Sequence, residues 1–248
     1  MGHSAKVNDS EEAIAVRRRL AEVRERIARA AREAGRDPLE VTLVAVSKGQ
    51  PLVRIEAALE AGQRVFGENY VQEAASRWPA LRPRYPGIEL HLVGSLQTNK
   101  VREAVRLFDV LQTVDRPKLA LALAREMARA GRRLPVFVEV NLGEEPQKAG
   151  VPPAAVDAFV ATCREEFGLD VRGLMAIPPA GEDVAPYAAL LARLARRNGL
   201  SGVSIGMSDD FEVAIAFGAT HVRIGTAIFG ERTAKRQPER GSEPSSIS

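Results

Sequence analysis

Short apolar, β-branched runs alternate with longer amphipathic segments from Val41 to about residue 230, and this alternation constrains the fold more than any other feature. Several runs are apolar nearly throughout, which is typical of parallel strands buried on both faces. Eight runs are predicted strands: 41–46, 64–67, 89–93, 109–113, 135–141, 171–176, 202–206 and 220–224. Eight such units of about 24 residues each predict a closed (β/α)8 TIM barrel, with a doubly wound open sheet as the alternative.

Predicted helices fill the intervals near 51–62, 70–77, 98–107, 116–131, 153–167, 184–198 and 208–217. An extra N-terminal helix is predicted at 11–34, where apolar residues recur every three or four positions and Gly35 is placed to end it. Its predicted apolar stripe is Ile14, Val16, Leu20, Val23 and Ile27. The predicted domain is therefore one barrel over 11–232, preceded by a flexible 1–10 and followed by a disordered tail at 233–248 that is rich in Arg, Glu, Pro and Ser.

Charge and composition exclude several classes of protein. Lys and Arg number 35 against 32 Asp and Glu, a net charge of +3 that is too even for a nucleic-acid-coating protein. The arginine-rich stretches 17–32 and 125–133 are predicted to be solvated helix faces. No apolar run approaches the ~20 residues that span a bilayer. A lone cysteine, Cys163, makes no internal disulfide, and three histidines form no metal-ligand pattern, so we expect a metal-free cytoplasmic protein.

Lys48 is the first candidate for chemistry. It lies two residues past the first predicted strand, at the carboxyl-terminal end of the barrel, where active sites of this fold lie. Only six of the 35 basic residues are lysines, so a lysine beside an apolar strand stands out. A partly desolvated amine is a nucleophile that can form a Schiff base with an aldehyde. The alternative is an ordinary exposed lysine in a loop.

Two turns rich in glycine and hydroxyl groups follow the seventh and eighth strands. Ser208 is a predicted helix cap, with Asp209 and Asp210 in the first turn, and Gly225-Thr226 begins a second short helix. Glycine allows close backbone approach, and the N–H groups at helix starts bind anions. Barrels commonly bind phosphate with these two loops. Each turn alone could be an ordinary capped loop, but with Lys48 the two turns predict a pocket for a phosphorylated aldehyde.

Six motifs, in order along the chain, resemble the pyridoxal phosphate homeostasis protein family, and the resemblance runs from about residue 12 to residue 232. The motifs are Val46-Ser47-Lys48, Phe66-Gly67-Glu68-Asn69-Tyr70, His91–Lys100, Gly173–Pro178, Gly206-Met207-Ser208-Asp209-Asp210 and Val222–Gly230. The resemblance implies a single barrel similar to the N-terminal domain of alanine racemase, a fold-type III architecture. It implies pyridoxal 5′-phosphate (PLP) as cofactor and Lys48 as its Schiff-base lysine.

The resemblance also assigns the other cofactor-binding residues. Ser208, the amides around Met207, and Gly225-Thr226 would hold the phosphate, Arg223 would face the pyridine nitrogen, and Asn69 would contact the cofactor. From the sequence, Arg223 could instead form an ion pair at the edge of the core. His91, Lys100 and Lys148 receive no firm role: His91 could touch the cofactor or be an interior hydrogen-bonded histidine, and Lys100 could meet a phosphate or solvent.

Three functions are compatible with these residues. The favoured one is a PLP carrier that stores, buffers or delivers PLP, with PLP-dependent apoenzymes as candidate recipients, and that is not primarily an enzyme. Only 18 residues follow Gly230, too few for the second domain that supplies a racemase's second acid–base group and dimer contacts, so we expect a monomer. The alternatives are a racemase-like PLP enzyme, with Asn69, Tyr70 or His91 as the base, and a cofactor-free Schiff-base aldolase.

Overall fold

Eight parallel strands form a closed barrel in the computed structural model, which describes residues 10–231. The strands are β1 (Thr42–Val46), β2 (Val65–Glu68), β3 (Glu89–Leu92), β4 (Val110–Val114), β5 (Pro135–Glu139), β6 (Asp170–Met175), β7 (Gly202–Ser204) and β8 (His221–Ile224). Strand β1 pairs with β2 on one side and β8 on the other, where Thr42 lies opposite His221. This closure confirms the barrel and rejects the open sheet.

Helices follow the strands around the outside of the barrel. They are α1 (Glu11–Glu33), α2 (Leu52–Glu60), α3 (Val71–Leu81), α4 (Val101–Leu107), α5 (Pro117–Ala130), α6 (Val156–Ala161), α7 (Val184–Arg197), α8 (Phe211–Ala216) and α9 (Thr226–Phe229). Each predicted helix has a counterpart here. The predicted helix at 153–167 is divided into a 3-10 turn, the short α6 and a π-helical turn at Thr162–Glu166.

The extra helix α1 packs against α2, α8 and α9, outside the barrel. Ser10 caps it by accepting from the Ala13 N–H at 3.3 Å, and Gly35 follows its end with a φ of +68°. The predicted stripe was wrong at Ile14, which is 54% exposed, because the buried face instead begins at Ala13 and Val16. A helical turn of 3.6 residues places position 14 about 100° away from position 13.

The start of α8 corrects a second expectation. The helix begins at Phe211 with Asp210 in the cap position, so Ser208 is not its cap and Asp209 and Asp210 precede its first turn. The Asp210 side chain stabilises the turn before α8, because its Oδ1 accepts from the Met207 N–H at 2.6 Å. Ser208 lies in the turn after β7, where its Oγ accepts from the Ala227 N–H of α9 at 3.2 Å.

The barrel interior is filled by a cluster of apolar side chains and by several polar side chains. The apolar cluster is Val110, Phe137 and Met175. Gly173 and Gly202 make room for the Phe137 ring, since a Cβ at Gly173 would lie 2.4 Å from its Cε1. Among residues 10–231, no helix is long and apolar enough to cross a membrane. The predictions for 1–9 and 232–248 concern residues outside those described.

Candidate functional site

A cavity of about 290 Å³ opens at the carboxyl-terminal end of the barrel. This volume is near the lower limit of about 300 Å³ for small-molecule sites. All seven residues predicted from the sequence line it, namely Lys48, Asn69, Met207, Ser208, Arg223, Gly225 and Thr226. They converge because parallel strands present their carboxyl ends at the same edge of the barrel. Hydrophobic side chains, including Val46, Val93 and Ile177, complete the wall.

The loop that carries Lys48 is held from outside the barrel by helix α3. The Gly49 N–H donates to Glu73 Oε1 at 2.6 Å, and Arg77 donates to the carbonyls of Ser47 and Gln50 at 3.3 and 3.1 Å. Arg77 and Glu73 also pair with each other one turn apart on α3. Because charged groups fix the backbone on both sides of Lys48, the half-buried lysine projects from a rigid turn.

A fully buried carboxylate, Glu68, lies behind this loop, between β2 and α3. Its Oε1 accepts from the Ser47 hydroxyl at 2.6 Å and from Trp78 Nε1 at 3.0 Å, while Oε2 has no hydrogen-bond partner among the described residues. Burial raises the pKa of Glu68, and the nearby charge of Arg77 opposes that rise. Sequence reasoning missed Glu68; the signal was an acidic residue ending an otherwise apolar strand.

Ser208, Gly225 and Thr226 line the part of the cavity formed by the turns after β7 and β8. A Cβ on Gly225 would lie 3.2 Å from the Val46 carbonyl oxygen, so glycine lets the turn before α9 approach β1 closely. The first N–H groups of a helix lack intrahelical partners and point outward from its start. The turns after β7 and β8 therefore bring the Ser208 and Thr226 hydroxyls together with the Thr226 N–H, while the Ala227 N–H already donates to Ser208 Oγ. The Met207 amide does not join them, because it already donates to Asp210.

Arg223 forms part of the cavity floor and is only 6% exposed. Its guanidinium donates to the Ser204 hydroxyl at 2.7 Å and to the Ala176 carbonyl at 2.8 Å, rather than to a carboxylate. Burial lowers the pKa of Arg223 to about 10, while the charges of Glu139 and Asp210 oppose the decrease. The side chain is therefore cationic at neutral pH. Two of its five N–H donors are used by the protein, which leaves donors for a ligand.

A second buried acid, Glu139, ends β5 inside the barrel. The pKa of Glu139 is raised to about 7. Burial is the main cause and the charge of Asp115 adds to it, while the charges of Arg223 and Arg116 oppose the rise. Its Oε2 has no hydrogen-bond partner within residues 10–231. The carboxyl group is therefore partly protonated at neutral pH. This residue was not predicted to be near the site.

Several other candidates lie away from the cavity wall. His91 is 1% exposed and bonds to Glu89 and Gln112 inside the barrel, as an interior histidine would. Lys100 lies 3.6 Å from Glu103. Lys148 pairs with Glu145 at 2.5 Å and donates to a backbone carbonyl.

Cys163 is not among the residues that line the cavity. Cys163 is buried in the π-helical turn, and burial raises the pKa of its thiol to about 12. In residues 10–231, no three His, Cys, Asp or Glu side chains are grouped to hold a metal ion. The thiol is therefore a packing group, as the sequence suggests.

Comparison with known protein families identifies the class of protein to which this barrel belongs. The family described as alanine racemase, N-terminal domain, matches residues 7–233. A pyridoxal phosphate homeostasis protein of Escherichia coli is 42% identical over 222 residues, covering 86% of this chain and 95% of that protein. The chain therefore belongs to the alanine racemase N-terminal domain family and, within it, to the pyridoxal phosphate homeostasis proteins.

Two solved structures share this fold over nearly their whole length. The crystal structure of an unknown protein from Bifidobacterium adolescentis is 31% identical with a TM-score of 0.84, covering 89% of this chain and 97% of that one. PipY of Synechococcus elongatus, solved with PLP bound, is 37% identical with a TM-score of 0.74, covering 87% of this chain and 100% of that one. PLP is thus the bound cofactor in a close structural relative.

Proposed function

We propose that this protein binds PLP and acts in PLP homeostasis, storing, buffering or delivering the cofactor. One observation carries the proposal: a single cavity is lined by Lys48 after β1, by Ser208, Gly225 and Thr226 on the turns after β7 and β8, and by the buried Arg223 of β8. An amine, a phosphate-binding turn and a cation are the groups that a phosphorylated pyridine aldehyde requires. The names of the relatives and the PLP-bound PipY support the same ligand.

The phosphate end fits a dianion. Ser208 and Thr226 offer hydroxyls, and Thr226, the first residue of α9, offers a backbone N–H that Gly225 allows to come close, whereas the Ala227 N–H already donates to Ser208 Oγ. Hydrogen bonds to a charged group contribute about 1.5–3 kcal/mol each, so a few of them hold the phosphate firmly. The Met207 side chain contributes to the wall by contact, since its amide is already bonded to Asp210.

Lys48 is the covalent anchor in this proposal. Bound PLP would supply an aldehyde, and Lys48 is the residue whose amine would hold it as a Schiff base, with release of one water molecule. The groups around the loop serve this role, because Arg77 and Glu73 fix the backbone beside the amine and Glu68 holds the Ser47 side chain. Asn69 follows β2 and comes close to Gly94, which has no room for a Cβ beside the Asn69 backbone. This close approach fixes Asn69 at the rim of the cavity.

Arg223 makes the site better suited to holding PLP than to activating it. A cation beside the pyridine nitrogen disfavours protonation of the ring, and an unprotonated ring is a weaker electron sink. The positions of His91 and Tyr70 do not support a role as the base of a racemase. His91 is engaged inside the barrel, and Tyr70 is 64% exposed.

The proposal includes a cellular setting. A PLP carrier would deliver its cofactor to PLP-dependent apoenzymes in the cytoplasm, and we propose that it does so as a monomer. A lone, buried cysteine is consistent with a reducing compartment. Light scattering of the purified protein, with and without PLP, tests the oligomeric state.

Borohydride trapping tests the anchor. We expect wild-type protein incubated with PLP to give a reduced phosphopyridoxyl adduct on the peptide that contains Lys48, identified by mass mapping. Lys48→Ala should lose the adduct and keep its fold, because the side chain lies at the cavity and not in the packed core. Lys100→Ala and Lys148→Ala are matched controls that should retain it. An adduct of wild-type yield on Lys48→Ala would assign the anchor to another lysine.

A further inference from the structure

A chain of hydrogen bonds crosses the barrel interior from Arg223 toward the amino-terminal end of the strands. Arg223 Nη1 lies 2.7 Å from Ser204 Oγ, which lies 2.6 Å from Gln112 Oε1. Gln112 Nε2 lies 2.7 Å from His91 Nδ1, and His91 Nε2 lies 2.6 Å from Glu89 Oε1. The five residues come from β8, β7, β4 and β3 and are linked only by the closure of the barrel.

The direction of every bond follows from the arginine. A guanidinium only donates, so Ser204 accepts from it and its own hydroxyl hydrogen is directed to Gln112 Oε1. The Gln112 amide group then presents N–H to His91 Nδ1, which must be the unprotonated ring nitrogen. The proton on His91 Nε2 is directed to Glu89. Each member has one orientation that satisfies both of its neighbours.

The chain is dry along most of its length. Ser204 and Gln112 are fully buried, and His91 is 1% exposed. An apolar side chain would fill the same volume without the requirement that each polar atom be satisfied. The barrel therefore keeps an interior polar chain that ends at Arg223, and its end at the cavity floor connects it with the ligand site.

We propose that Ser204 and Gln112 are positioning residues for Arg223, which orient its guanidinium toward the bound cofactor. Without them the guanidinium keeps only the Ala176 carbonyl as a partner and can rotate about that single bond. Gln112 acts through Ser204, since its amide is fixed on one side by His91 and on the other by the hydroxyl. This inference rests on the proposed function, because it concerns how Arg223 meets PLP.

The test measures the dissociation constant of PLP and the absorption spectrum of the bound cofactor for three variants. Ser204→Ala and Gln112→Met should raise the dissociation constant about tenfold, equivalent to about 1.4 kcal/mol, and shift the absorption band of bound PLP. Gln112→Glu should rescue both readouts, because a buried carboxyl group still accepts from Ser204. Ring-nitrogen NMR shifts of bound ¹⁵N-labelled PLP should change in Ser204→Ala and in Gln112→Met and stay near the wild-type value in Gln112→Glu.

Thr113→Val is the matched control, because it removes a buried hydroxyl at the position next to Gln112 on the same strand. It should leave affinity and spectrum unchanged. A Ser204→Ala protein that binds PLP with wild-type affinity and spectrum overturns the proposal, even if its melting temperature falls. If wild-type protein itself binds no PLP, the proposed function fails first, and the role of Ser204 and Gln112 fails with it.

Discussion

Replacing Glu139 by glutamine should change how stability depends on pH. Glu139 is 8% exposed, and burial raises its pKa from 4.5 to about 7. Between these two values the folded protein holds a proton that the unfolded chain has already released. The free energy of unfolding therefore falls as pH rises through this window, and it stays lower above pH 7.

The magnitude follows from the size of the pKa displacement. About 2.5 pH units, at about 1.4 kcal/mol for each unit, give about 3.5 kcal/mol in full, of which about 3 kcal/mol develops between pH 4.5 and pH 8. A glutamine side chain at this position cannot ionise, so the variant escapes this loss. The stability of Glu139→Gln relative to that of wild type should therefore be about 3 kcal/mol greater at pH 8 than at pH 4.5.

Urea unfolding of the ligand-free protein, followed by the fluorescence of its one tryptophan, Trp78, measures this difference. The comparison uses the change with pH, so a constant offset caused by the amide group cancels. Glu165→Gln removes the same charge from an exposed position and should follow the wild-type curve. The difference between the free energies of unfolding of Glu139→Gln and wild type should change with pH. If that difference stays constant within about 0.5 kcal/mol from pH 4.5 to pH 8, the raised pKa of Glu139 is refuted.

Three shorter predictions concern other parts of the barrel. Gly173→Ala should cost about 3 kcal/mol in urea unfolding, because its Cβ would lie 2.4 Å from the Phe137 ring; wild-type stability would contradict that contact. Arg77→Ala should weaken PLP binding about tenfold, because two carbonyls of the Lys48 loop lose charged donors, and a titration that gives the wild-type constant would disprove the role of this clamp. Thr226→Val should weaken PLP binding by about 1.5–3 kcal/mol without moving the absorption band, and an unchanged dissociation constant would exclude a phosphate contact.

Much of the site was accessible from the sequence because it depends on the ends of strands. Lys48, Asn69 and Arg223-Gly225-Thr226 are placed by the ends of β1, β2 and β8, and parallel strands gather such positions at one rim. The strand boundaries needed only the alternation of apolar runs and helices. The strand pattern therefore located Lys48 and the Ser208 and Gly225-Thr226 turns at this rim, and the family resemblance added Met207 and Arg223.

The residues that support the site could not be found in this way. Glu68 and Glu139 both end apolar strands, yet Glu68 faces outward to α3 and Glu139 faces into the barrel, where the neighbours of each decide its pKa. Ser204 and Gln112 are 92 positions apart and meet only because β4 and β7 both border the interior. The Ser208 cap was wrong because Asp210 competes for the same turn, a choice made by local geometry.

The barrel, its extra first helix and the edge at which the cavity opens could all be read from the amino-acid order, because they follow from periodicity and from the parallel direction of the strands. Which polar side chains meet across the interior and behind the Lys48 loop depends instead on the folded arrangement. Hydrogen bonds and pKa values depend on atoms a few ångströms apart, and the closure of the barrel brings those atoms together from distant parts of the chain.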